Sequence, residues 1–138
     1  KLLTKENKND VHELCNKLLK QGNFSSHVAD DLQDYIENTN EKNYKDTKAY
    51  GYYKDEMLIG FVMLLHDSIL HYSHLSVIGV LEEYRRNGIG TKLSKFVLNK
   101  YPNDKFHYQV AHLNKPSIGL VTSLGFKFAG TRELMIKA

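Results

Sequence analysis

The chain has 138 residues, 41% hydrophobic and 25% charged, with a formal net charge of +3. That is the profile of one globular domain, 1–138, long enough to bury a core. No apolar run approaches the ~20 residues of a membrane span, and no basic cluster with interleaved aromatics suggests nucleic acid. The single cysteine, Cys15, rules out an intrachain disulfide and favours a reducing, cytoplasmic setting.

Taken in order, Lys1–Thr4 could form a short first strand. Asp10 reads as an N-cap, followed by the apolar stripe Val11, Leu14, Cys15, Leu18, Leu19, with Gly22 as the C-terminal glycine. Cys15 on that stripe is expected to act as a small hydrophobe. A second helix starts near Ser25 or Ser26 and buries Val28, Leu32, Tyr35 and Ile36. Its acidic residues Asp30, Asp31, Asp34 and Glu37 read as a solvated face, with an amine-attracting lip as the alternative.

Asn38–Lys48 is polar and turn-like. Strands follow at Ala49–Lys54 and Leu58–Leu65, joined by Asp55-Glu56, and Asp67-Ser68 leads to a strand over Ile69–Val80. Gly79 within that strand suggests a bulge or a close approach of another backbone.

The informative stretch is Leu75–Leu98. A β-branched run (Val77, Ile78, Val80) passes through Glu82–Arg86 to Gly88-Ile89-Gly90, after which Ile89, Leu93, Phe96 and Val97 recur at helical spacing. Strand, glycine turn, helix is an arrangement in which free N–H groups at a helix start can hold a phosphate. The glycines allow close approach, and Arg85 and Arg86 add permanent cations. A P-loop is excluded because Gly90-Thr91-Lys92 lacks its spacing. A dinucleotide fingerprint is excluded because Leu93 stands where its third glycine belongs.

Arg85-Arg86-Asn87-Gly88-Ile89-Gly90 fits a Gln/Arg-x-x-Gly-x-Gly/Ala pattern after a strand ending Ile78-Gly79-Val80. This resembles motif A of the GNAT superfamily of acyl-CoA-dependent N-acyltransferases. Asn114-Lys115-Pro116-Ser117 through Leu124-Gly125-Phe126 resembles its motif B, so the likeness covers Leu75–Phe126.

The resemblance implies an α/β domain with a mixed, mostly antiparallel sheet and helices on both faces. It implies N-acetyl transfer from acetyl-CoA to a primary amine by direct attack, without a metal. In that reading Arg85, Arg86, Asn87, Gly88, Ile89, Gly90 and Thr91 cradle pyrophosphate. Ile78, Gly79 and Val80 face pantetheine where the strand parts from its parallel neighbour, and Asn114 and Ser117 flank the cofactor arm.

The acid and base depart from the family. Its usual motif B tyrosine is Val121 here, and its glutamate base position on the fifth strand is Gln109. Histidine titrates near neutrality, which makes His74 the leading base candidate, with Ser76 as a water relay. Tyr108, His112 and Ser123 are weaker candidates. The histidines His66, His71, His74, His107 and His112 lack metal-site spacing. An acyl-CoA-binding sensor that has lost chemistry is the rival reading.

Downstream, Phe106–Leu113 reads as a strand, a short helix follows Asn114, and Phe126–Ile136 reads as the last strand. The family's final hairpin would then be incomplete, its last strand absent or supplied by the partner of a homodimer.

Overall fold

The computed structural model describes residues 1–22, 24–39, 44–109, 115–128 and 134–137. Helices α1 (Lys8–Lys20) and α2 (Ser26–Glu37) precede strands β1 (Thr47–Lys54), β2 (Met57–Asp67) and β3 (Tyr72–Val80). Then come α3 (Ile89–Lys100), β4 (Lys105–Gln109), α4 (Lys115–Ser123), β5 (Phe126–Phe128) and β6 (Leu134–Lys137). They build one six-stranded sheet ordered β1-β2-β3-β4-β6-β5. Only β3 and β4 pair in parallel; the other four described pairings are antiparallel. The mixed, mostly antiparallel sheet is as the sequence leads one to expect.

Helix α1 begins at Lys8, earlier than Asp10. Asn7 is its N-cap, with its Oδ1 accepting from Thr4 N at 3.0 Å, while Asp10 accepts from the Tyr53 hydroxyl at 2.8 Å. Its buried residues are Val11, Leu14, Cys15 and Leu18, and Leu19 lies at the exposed margin. Gly22 has φ +78, the left-handed conformation of a residue just past a helix end. Ser25 caps α2 by accepting from His27 N at 3.1 Å, and Ala29, Leu32, Tyr35 and Ile36 form its buried side. Lys1–Thr4 adds one bridge, Leu2 to Tyr50, rather than a strand.

Asp55 (φ +50) and Glu56 (φ +67) close the β1–β2 hairpin with two consecutive left-handed residues, a twist that suits paired strands. The next turn corrects the expectation of a strand from Ile69. Asp67 Oδ1 accepts from the N–H groups of Ile69 and Leu70 at 2.9 and 3.0 Å, holding a turn with Ile69 85% and Leu70 73% exposed.

The two faces of the sheet carry different helices. Phe24, in the α1–α2 connection, meets Phe61 of β2 edge-on at 5.8 Å, on the face that also holds Gly79. Ile89 of α3 lies over Gly60 and Val80 on the other face, where Tyr50 meets Phe96. Phe96 is 43% exposed; in its stead Ser94 is buried and donates to Gly90 O at 2.8 Å.

At the C-terminal side, β5 and β6 pair with each other, and β6 with β4. The chain thus supplies its own closing hairpin, where the sequence suggested one strand and a missing or donated partner. The hairpin needs two short strands because Phe126–Ile136 must reverse direction to pair antiparallel.

Candidate functional site

Three elements meet at the glycine turn: the end of β3, the start of α3 and the middle of α4. After Val80, a short 3-10 turn over Glu82–Tyr84 carries the chain to Arg86, whose φ is +70, and Gly88, whose φ is +72. A Cβ on Gly88 would meet nothing within 4 Å, so it is the backbone angle that calls for glycine there. Gly90 differs: its φ is ordinary, and an added Cβ would sit 3.4 Å from Leu120 and 3.9 Å from Ile78. The fold tolerates a methyl there, and glycine leaves the space open.

The first helical bond of α3 is Lys92 N to Gly88 O at 2.9 Å. The N–H groups of Ile89, Gly90 and Thr91 therefore have no partner within the helix and present its positive end to the turn. Arg86, Asn87 and Gly88 are exposed around it. Arg85 is turned back, its Nε donating to Val80 O at 3.1 Å, so it braces the strand end.

The β3–β4 ladder runs only from Tyr72–Lys105 to Leu75–Tyr108. Beyond it, Ser76–Val80 have no partner on that side among the described residues. Leu81 N donates to Ile59 O at 2.9 Å, which makes residues 59 and 81 a hydrogen-bonded pair of the β2–β3 ladder. Alternation then makes Gly60–Val80 and Val62–Ile78 non-hydrogen-bonded pairs, whose N–H and C=O groups point away from β2. So Ile78 and Val80 offer backbone groups to the gap, while Gly79 turns its own toward β2. Arg85 takes the Val80 carbonyl, leaving the Val80 N–H and both Ile78 groups. This gap, ending at three helix amides with no partner among the described residues, fits an extended amide-bearing arm with a diphosphate at one end.

Gly79 makes room for side chains, where its place in the strand suggested a bulge or the close approach of another backbone. A Cβ there would lie 2.6 Å from Phe61 Cε1 and 3.3 Å from Phe24. The irregularity sits three residues earlier. Met63 pairs with Val77 and Leu64 with Leu75, so Ser76 is an extra residue. Alternation of faces resets across it: Ser73 and Leu75 lie on the α3 face with Ile78 and Val80, while His74 lies on the face with Val77 and Gly79.

That bulge sorts the candidate residues. His74 is half-buried, in register with Leu65 on β2 and His107 on β4. Burial first, and His107 second, holds its imidazole below the usual histidine value. Ser76 is exposed beside it. Tyr108, only 6% exposed, stands with Leu75 on the α3 face, so the structure does not bring it to His74. His107 does share His74's face, and Tyr72 reaches its Nδ1 at 2.6 Å. Sequence reasoning counted His107 only among scattered histidines; its even spacing from Gln109 on one strand was the available signal. Asn114 and His112 lie outside the described residues, and Ser117 is placed in α4 by its backbone. Ser123 donates to Leu120 O at 2.6 Å, and Val121 is buried.

A second polar group lies on the α3 face. Asp104 Oδ2 accepts from Ser73 Oγ at 2.6 Å and from His66 Nδ1 at 2.7 Å. This is no nucleophile triad, because one ring nitrogen, His66 Nδ1, faces both Asp104 and Ser73 Oγ (3.1 Å), and Ser73 is fully buried. On α2, Asp30, Asp31, Asp34 and Glu37 are exposed; Asp31 pairs with His27, and Asp34 accepts from Tyr44 and Asn38. That is a solvated face.

The profile of the acetyltransferase (GNAT) family matches residues 12–126. The chain belongs to the acetyltransferase (GNAT) family. An N-alpha-acetyltransferase from Saccharolobus solfataricus is 34% identical over 87 residues, 59% of this chain and 52% of the relative. The chain thus aligns with about half the length of that relative. Among solved structures, a GNAT acetyltransferase from Desulfovibrio desulfuricans superposes with TM-score 0.78 at 14% identity, over 99% of this chain and 94% of that one. PaiA N-acetyltransferase from Thermoplasma acidophilum, bound to coenzyme A, gives TM-score 0.66 at 18% identity, over 97% and 93%. At these identities the two structures speak for the GNAT fold alone.

Proposed function

We propose that this GNAT chain is an acetyl-CoA-dependent N-acetyltransferase acting on a primary amine of a small molecule or peptide by direct attack. The observation that carries the reading is the gap beside Ile78–Val80, whose free backbone groups lead to the unpaired amides of Ile89, Gly90 and Thr91. Bound there, acetyl-CoA would supply an activated acyl group. The helix amides and Arg86 would hold its diphosphate, the Val80 N–H and the Ile78 carbonyl its pantetheine amides, and the Ile78 N–H, farther along β3 toward His74, would donate to the acyl oxygen.

An attacking amine must shed its proton, and His74 is the residue we assign to accept it. Held below the usual histidine value, its imidazole is uncharged at neutral pH and can take a proton. Its place on the α1–α2 face puts the acceptor on that side of the sheet. Side-by-side binding of amine and acyl donor supplies rate through proximity. The named activity of the S. solfataricus relative makes a peptide α-amine the first acceptor to try.

The test is calorimetric titration with acetyl-CoA, followed by thiol release with short peptides, spermidine and free amino acids. Wild-type binding that an Arg86→Ala/Gly88→Trp variant loses, with turnover on one amine class, supports the proposal. A folded wild type that does not bind acetyl-CoA overturns it. Binding without release for any amine points to the sensor reading.

A further inference from the structure

The parallel register sets His74 directly beside His107. Neighbouring strands lie ~4.8 Å apart and opposed residues project to one face, so the two imidazoles stand side by side. Tyr72 Oη lies 2.6 Å from His107 Nδ1, and the two rings meet edge-on at 4.8 Å and 82°. Burial pushes the Tyr72 phenol up, so it keeps its proton, and its bond to Nδ1 takes the direction that the His107 protonation state sets. His107 is thereby fixed in orientation.

Among the described residues, the sheet gives His74 one electrostatic neighbour, His107. Its partner on β2 is Leu65, whose partner on β1 is Thr47, and neither is charged. Asp67 and Lys105 are in register with Tyr72, not with His74. The Asp67 carboxylate is turned into its own loop, onto the N–H groups of Ile69 and Leu70. No described carboxylate stands in register with His74 to favour its charged form.

The geometry points to His107, held by Tyr72, as a positioning residue that keeps His74 an uncharged proton acceptor for acyl transfer. Two imidazoles one strand spacing apart repel when both are charged, so a proton on His107 disfavours one on His74. The inference rests on the assignment of His74 as the base, and its test separates the two.

Imidazole NMR titrations of wild type, His107→Gln and Tyr72→Phe decide it. Glutamine keeps an acceptor for Tyr72 and removes the second charge. The His74 midpoint is expected to rise by several tenths of a pH unit in His107→Gln, and by less in Tyr72→Phe, where His107 is present but no longer held. The acid limb of acetyl transfer should move up with His74 in His107→Gln, with KM for acetyl-CoA unchanged. An unmoved His74 midpoint overturns the inference. Should the variants not fold, wild type alone is decisive: the two rings must titrate as a coupled pair, and independent curves overturn the pairing. Wild type that binds acetyl-CoA but transfers nothing removes the base assignment, and the NMR result stands apart from it.

Discussion

His74 and Ile78 point to opposite faces of β3, although an unbroken strand would put residues four apart on the same one. The extra residue at Ser76 produces the reversal. It lets one strand serve the α1–α2 face with an imidazole and the α3 face with the apolar wall around Gly90. Deleting Ser76 restores simple alternation and throws one half of β3 to the wrong face. We expect that deletion to lose cooperative unfolding by circular dichroism. Ser76→Ala keeps the extra residue and should shift stability by less than about 0.5 kcal/mol.

Gly88 and Gly90 are separated by one residue but should fail differently. Gly88→Ala forces a side chain into a left-handed conformation and should cost about 1 kcal/mol. Gly90→Ala meets ordinary contacts with Leu120 and Ile78, so its melting temperature should stay near wild type. Its methyl would occupy the space above the free amides and weaken acetyl-CoA binding. Calorimetry and melting on the two variants separate a conformational glycine from one that leaves room.

Gly79→Ala brings a methyl to 2.6 Å from Phe61 Cε1, a ring that is itself fully buried and hemmed by Phe24. Overpacking of this kind costs about 1–3 kcal/mol. Phe61→Leu in the same chain should recover part of the loss, measurable by denaturant unfolding as a non-additive double-mutant cycle.

The strand–turn–helix unit was legible because local chemistry dictates it: β-branched residues, a left-handed glycine, then apolar residues at helical spacing. The helix start near Ser25 or Ser26 and the Asp55-Glu56 turn were legible for the same reason. The bulge was not, since Ser76 looks like any strand serine and its extra place depends on pairing with β2. Ile69 and Leu70 read as strand because they are apolar; the Asp67 carboxylate overrides that by satisfying their N–H groups. Asp10 has the local pattern of a cap, but its partner, Tyr53, is forty-three residues away. The face of Tyr108, opposite to that of His74, likewise follows from register across β3 and β4.

The lowered proton affinity of His74 has a stability consequence of fixed sign. Its ordinary value is 6.5 and the native value is lower, so between the two the unfolded chain binds more protons. Stability is then undiminished by this residue above 6.5 and falls as pH drops through that window. His74→Asn removes the effect. The wild type should therefore lose more melting temperature than the variant between about pH 7.5 and about pH 5.5. Equal losses would mean that His74 is not strained toward neutrality in the native state.

Asp104 ties the α3–β4 connection to two strands. One oxygen receives Ser73 at 2.6 Å and His66 at 2.7 Å, with the carboxylate only 4% exposed. His66 stacks on Tyr101 at 3.9 Å, and the Tyr101 hydroxyl meets that of Tyr50 at 2.6 Å, extending the tie to β1. Asp104→Ala takes the shared acceptor from a buried hydroxyl and an imidazole N–H, which lie 3.1 Å apart and are left with each other, a loss of about 1–3 kcal/mol for a group left unsatisfied. Asp104→Asn keeps the shape and one acceptor oxygen, so it should cost less. The order wild type, Asn, Ala in melting temperature is the expected result, with Ser73→Ala falling nearer wild type because it removes a donor together with its need for a partner. A wild-type melting temperature for Asp104→Ala would mean that the Ser73–His66 contact or water replaces the carboxylate there.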